Sequence, residues 1–113
     1  MAAVYVSNLV INAGATFSQQ FDLAQSDDSS PLDLTGYTIA AQIRKHAGSS
    51  NTTAFTTTAM DAINGLLLIS LTPVQTAALK TGRHVYDIVI TDAAGDKTRV
   101  VEGSVLVREG VTR

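Results

Sequence analysis

The 113-residue chain has no cysteine and no tryptophan, only two prolines, and charged residues make up just 16% of it. Without cysteine there is no disulfide framework, no thiolate zinc site and no thiol nucleophile. The net charge of −2, with no run of like charges, leaves no electrostatic footprint for nucleic acid or an anionic membrane. No apolar run approaches the roughly 20 residues that span a bilayer, and Leu66 to Ile69 falls far short. The start, Met-Ala-Ala-Val-Tyr, lacks the basic and long apolar regions of a signal peptide. What is present is 45% hydrophobic, which argues against disorder. At this length a chain buries roughly 65% of its unfolded surface and holds a core without staples. The expectation is one soluble domain, residues 1–113, made in the cytosol.

Threonine is abundant, 14 residues, and valine, isoleucine and threonine fill the segments between glycine- and aspartate-containing breaks. Branched side chains fit a pleated sheet and lose rotamer freedom in a helix, so this is strand composition. Val4 to Ile11 reads as a first strand with imperfect alternation. Ala15 to Leu23 places Phe17, Gln19, Phe21 and Leu23 on one face, and that face is expected to be buried. Tyr37 to Arg44 alternates cleanly, with Tyr37, Ile39, Ala41 and Ile43 on one side. Residues 46–53 are small and polar, a loop. Phe55 to Met60 is a weaker strand closed by an Asn64-Gly65 turn signal. Leu66 to Leu71 is apolar on both parities, as in a central strand covered on each side. Arg83 to Thr91 turns Tyr86, Ile88 and Ile90 inward, and Asp92 to Asp96 makes a hairpin into a long last strand, Lys97 to Arg108. Val101, Val105 and Val107 lie on one parity and Val100 and Leu106 on the other, and a bulge at Gly103 would flip the register there.

Between the fifth and sixth strands the period changes. Thr72 is a cap, Pro73 suits the first helical position, and Gln75 completes a capping box. A helix over 73–80 follows, with Val74, Ala77 and Ala78 on one face and Gly82 as its stop. About seven strands and one short helix make an all-β protein, an immunoglobulin-like antiparallel β-sandwich, with a small closed barrel as the alternative. Tyr86, just after the crossover, is a candidate structural corner tyrosine of the kind that ties a loop to such a sandwich. An ordinary half-buried aromatic is the alternative.

The search for chemistry finds little. His46 and His84 have no zinc-ligand spacing, and both are expected to be exposed. Asp27, Asp28 and Asp33 lack the spacing of a calcium loop and read, like Asp92 and Asp96, as turn carboxylates bonded to backbone amides. Glu102 and Glu109 sit in no acid–base motif, and no nucleophile elbow or phosphate loop occurs. Arg44-Lys45-His46, the densest basic patch, reads as a strand end in solvent. Tyr5 and Phe55 are the only aromatics a sugar platform might draw on, and core or interface packing suits both better. The chain is expected to be no enzyme and to carry no metal or cofactor, with no nucleic acid, membrane or small-molecule substrate as partner.

From Asp33-Leu34-Thr35-Gly36-Tyr37 onward the sequence resembles small immunoglobulin-like domains of tailed-phage virion proteins, including the N-terminal domain of baseplate upper proteins. Ile63-Asn64-Gly65 before an apolar strand, the Thr72 to Leu79 helix, Gly82 to Ile88, the Asp92-Ala93-Ala94-Gly95 hairpin and Glu102 to Val107 continue the resemblance in order, over about residues 15–113. It implies a non-enzymatic structural subunit in the tail, baseplate or neck of a virion assembled in the bacterial host cytoplasm. Such domains begin longer chains with host-binding modules. A chain of 113 residues is instead expected to be a stand-alone subunit, a homo-oligomer contacting other virion proteins. The alternatives are a capsid decoration or cement protein and, from another class, a small glycan-binding attachment module. Edge strands and weakly charged surfaces suit repeated contacts. The candidate assembly interface comprises Val4, Tyr5, Val6 and Leu9 of a docking arm within residues 1–11, and Arg108, Val111 and Arg113 at or beside the tail, residues 109–113. Deleting residues 1–9 should then abolish assembly and leave the monomer folded. The alternative is that Val4 to Ile11 is simply the first core strand.

Overall fold

The structure, a computed structural model, describes residues 5–23, 33–46, 48 and 52–110, with the Tyr5 side chain outside that set. Two sheets face each other across one core. The first contains β1 (Tyr5–Val6), β2 (Leu9–Asn12), β4 (Thr38–Arg44), β5 (Thr52–Ala54), β8 (Gly82–Thr91) and β9 (Lys97–Arg108), in the order β1-β9-β8-β4-β5 with β2 also on β9. The second contains β3 (Phe17–Asp22), β6 (Thr56–Asp61) and β7 (Leu66–Leu71), in the order β3-β7-β6. Period-2 alternation explains the layering: Ile43, Tyr86, Ile88, Ile90, Val105 and Val107 from one sheet meet Phe21, Leu67, Ile69 and Leu71 from the other. Each such side chain contributes about 1.5–3 kcal/mol of burial, offset in large part by the entropy of ordering the chain.

The immunoglobulin-like sandwich expected from the sequence is the fold observed, with several differences of detail. The first strand is broken at Ser7–Asn8, and Thr52–Ala54, partly within the expected loop, forms an edge strand on β4. The sandwich is not wholly antiparallel, because β1 and β2 run parallel to β9, Tyr5 opposite Val101 and Leu9 opposite Val105. The strand β7 is central as expected but not covered on both sides: Leu67, Ile69 and Leu71 are buried, and Leu66, Leu68 and Ser70 only half-buried. The register shift in β9 falls at Val100, since Ile88 faces Val101 and Val89 faces Arg99, so Val100 and Val101 both reach the core. Gly103 keeps its register, opposite Tyr86.

The turn signals hold. Asp61 to Gly65 links β6 to β7, with Gly65 at φ 72, and Asp92 to Asp96 links β8 to β9, with Gly95 at φ 93. The helix α1 (Pro73–Ala77) has the full capping box, Thr72 Oγ1 accepting from Gln75 N–H and Gln75 Oε1 accepting from Thr72 N–H. It is shorter than expected and ends at the cap Ala78, while Gly82 begins β8. Its buried residue is Thr76 and not Val74, which is 80% exposed. With one turn of helix, a polar tether does the anchoring: Thr76 Oγ1 accepts from Gly14 N–H at 3.0 Å and lies 2.9 Å from the Ala15 carbonyl.

Candidate assembly surface

Where β1 and β2 part, Ser7 N–H still donates to the Glu102 carbonyl at 3.0 Å, and side chains make the remaining ties. Gly103 has no side chain, and the Ser7 carbonyl turns into the space its Cβ would fill; that Cβ would lie 2.8 Å from the Ser7 carbonyl carbon. The hydroxyl of Tyr86 donates to this carbonyl at 2.6 Å. Asn8 Oδ1 accepts from both the backbone N–H and the hydroxyl of Ser104 at 3.1 Å. Tyr86 is buried and stands edge-on to Phe55, centroids 6.2 Å apart at 74°, and Phe55 tilts against Phe17. Burial pushes the Tyr86 phenol above the ordinary tyrosine range. A corner tyrosine would reach the loop just upstream; Tyr86 instead reaches from β8 past Gly103 to fasten the N-terminal arm.

This knot decides which arm residues are available to a partner. Val6 is 75% exposed and Val10 52%, both on the outer face of the larger sheet, where Val10 lies beside Leu106 and Val85 is also partly exposed. Leu9 is 5% exposed and belongs to the core. It is therefore removed from the candidate interface, because the parity that turns Val6 and Val10 outward turns Leu9 and Ile11 inward. Deleting residues 1–9 would take away a core leucine and the Ser7 acceptor of Tyr86, so the truncated monomer is not expected to stay folded unharmed. Tyr5 is held by backbone pairing to Val101. Arg108 is exposed at the end of β9, its carbonyl accepting from Ala13 N–H at 2.9 Å. Val4, Val111 and Arg113 lie outside the described residues.

On this outer face a shallow groove of about 440 Å³ is lined by Val6, Val85 and Gly103 and flanked by charge. Arg99 reaches Asp87 at 3.2 Å and Glu102 at 3.7 Å. These exposed pairs are worth tenths of a kcal/mol and serve to orient rather than to stabilise. An apolar centre with a polar rim is the anatomy of a protein-binding patch.

Hydrogen bonding from the Thr35 side chain, and then from its N–H to Oδ1, holds the Asp33 carboxyl below the usual range, and Asp92 Oδ1 accepts from Ala94 and Asp96 N–H. Asp27 and Asp28 lie outside the described residues. Among the described residues no three His, Cys, Asp or Glu groups are placed to hold a metal, and no helix is long and apolar enough to cross a membrane. Phe55 is core. His46 is exposed, but His84, expected in solvent, is buried, its Nε2 2.7 Å from the Lys80 carbonyl. A carbonyl only accepts, so Nε2 carries a proton. Sequence reasoning missed the cleft this creates: Arg44, Lys45 and His46 at the end of β4 meet Lys80 from the connection to β8 and His84 from β8 itself around about 450 Å³. Nothing local in the sequence announces a grouping of residues some 40 positions apart.

No family model matches the sequence, and no curated protein does. Solved structures do match. The N-terminal domain of phage TP901-1 ORF48 superposes with a TM-score of 0.55 at 14% identity, over 90% of this chain and 85% of that one. A variant of the SrpA adhesin from Streptococcus sanguinis gives 0.52 at 14% identity, over 96% of this chain and 57% of that one. At such identities the likeness is one of fold, and the chain has the immunoglobulin-like sandwich of a phage protein's N-terminal domain across nearly its whole length.

Proposed function

We propose that the chain is a non-enzymatic structural subunit of a tailed-phage virion, in the tail, baseplate or neck, acting through protein–protein contacts. The observation that carries the reading is the superposition on the phage ORF48 domain, which takes in most of both chains. The outer face supports it: Val6, Val10, Val85 and Leu106 expose apolar surface beside ion pairs on a rigid sheet. Closed symmetry would use that one small face many times. The test is to purify particles of the phage that encodes the chain, quantify it by mass spectrometry and locate it by immunogold labelling. Stoichiometric recovery with label on the tail is expected. Absence from purified particles overturns the reading, and label spread over the head would replace it with capsid decoration.

A further inference from the structure

The charges of the sandwich are sorted to its two ends. The 12-residue β9, at about 3.3 Å per residue, is about 40 Å long and can lie only along the longest axis of a molecule measuring 44 × 27 × 22 Å. At the end where β4 and β9 finish and β8 starts, the described residues include the cations Arg44, Lys45, Lys80, Arg83 and Arg108 against the single carboxylate Glu109. At the other end, where β3, β6 and β8 finish, they include Asp22, Asp33, Asp61, Asp92 and Asp96 against Lys97. Fields of opposite sign tens of ångströms apart do not cancel locally when the screening length is about 8–10 Å.

The two ends also differ in shape. The cationic end holds the 450 Å³ cleft, lined by the apolar Ile43, Ala78 and Leu79 together with Lys45, His46 and Lys80. Lys45 Nζ lies beside Gly82, 3.3 Å from where a Cβ there would sit. The acidic end projects the Asp92-Ala93-Ala94-Gly95-Asp96 hairpin tip, with two exposed methyl groups and a glycine between carboxylates. A small apolar tip flanked by anions complements a cleft lined by apolar side chains and cations.

We infer that the occupant of the cleft is a second copy of this chain, which inserts its β8–β9 hairpin tip and makes a head-to-tail junction. Such a junction is heterologous, so it repeats into a ring if the rotation closes and into a filament if it does not. Exposed charges govern the encounter and its register, and the contact is salt-sensitive. The inference specifies a contact for the proposed assembly role but is read from the chain's own charges, so its failure leaves the particle-labelling experiment standing.

The test uses the full chain in sedimentation velocity at about 10 mM and about 1 M salt, where the screening length falls from about 30 Å to about 3 Å. The mass is expected to exceed that of the 11.9 kDa monomer at low salt and return to it at high salt. A cleft variant, Lys45→Glu with Lys80→Glu, and a tip variant, Ala93→Lys with Asp96→Lys, should each weaken self-association at least tenfold. Mixed one to one they should associate again, because acidic clefts and tips then meet basic ones. Circular dichroism melts confirm that both variants fold; Asp92, which bonds the turn, is left in place. A monomer at low salt overturns the inference, even if a poly-glutamate peptide binds the cleft. So does association that survives high salt and both variants, or a mixture that stays monomeric.

Discussion

Tyr86, Gly103 and Thr76 show how much of this fold hangs on single atoms. Tyr86→Phe removes only the hydroxyl yet leaves the inward-turned Ser7 carbonyl without its donor. It should cost about 1–2 kcal/mol in urea unfolding. The pH dependence has a definite sign. The folded chain holds the Tyr86 proton more tightly than the unfolded chain does. This contribution is therefore complete below about pH 10, the ordinary tyrosine value, and is lost as pH rises through the raised folded one. Melting profiles between neutral and strongly alkaline pH should show less of that decline in Tyr86→Phe. Gly103→Ala drives a methyl group into backbone that cannot rotate away and should cost about 2–3 kcal/mol. Hydrogen exchange should then quicken at residues 5–12 while the pairing of β4 with β8 stays protected. Thr76→Val keeps the volume but strands Gly14 N–H and the Ala15 carbonyl, at a cost of about 2 kcal/mol by the same urea assay.

At the scale of elements, the chain changes sheets at Phe55. Its N–H still donates to the Ala41 carbonyl of the first sheet at 2.9 Å, its ring fills the core, and β6 begins on the second sheet at the next residue. One aromatic residue thus pins the crossing from both sides. The N-terminal arm divides its work by parity, so Val6→Ser with Val10→Ser should change stability by no more than about 0.5 kcal/mol each. Leu9→Ala should cost about 2–5 kcal/mol. Equilibrium unfolding separates the two roles. Much of this was legible in advance. Tyr37 to Arg44 alternates because each face meets one environment, and Thr72 and Gln75 sign a helix start whose partners are local. The arm was illegible in part because the knot inverts its pattern: Ser7 stands where a core residue belongs, its carbonyl being needed by Tyr86, while Val6 and Val10 occupy solvent positions. The reach of α1 was overread because Thr76, not an apolar stripe, anchors it. The basic cleft was hidden for another reason, since it exists only once β4 and the turn before β8 are brought together.

For the whole molecule, β9 is the seam. It is the antiparallel partner of β8 and the parallel partner of both β1 and β2, so Leu9 pairs with Val105 across almost the full sequence. A chain ending after Gly95 should show no cooperative unfolding transition by circular dichroism, because β8 and the arm lose their common neighbour. Long-range pairing of this kind places folding in the millisecond-to-second range. The parallel geometry has a mechanical consequence as well. If the chain is pulled apart between residues 5 and 108, the arm and β9 slide past one another lengthwise. The bonds joining Tyr5, Val6 and Leu9 to Asn12 with β9 then bear the load together, in shear, where a hairpin would open one bond at a time. Tension applied through its two ends thus meets the fold in its most resistant direction.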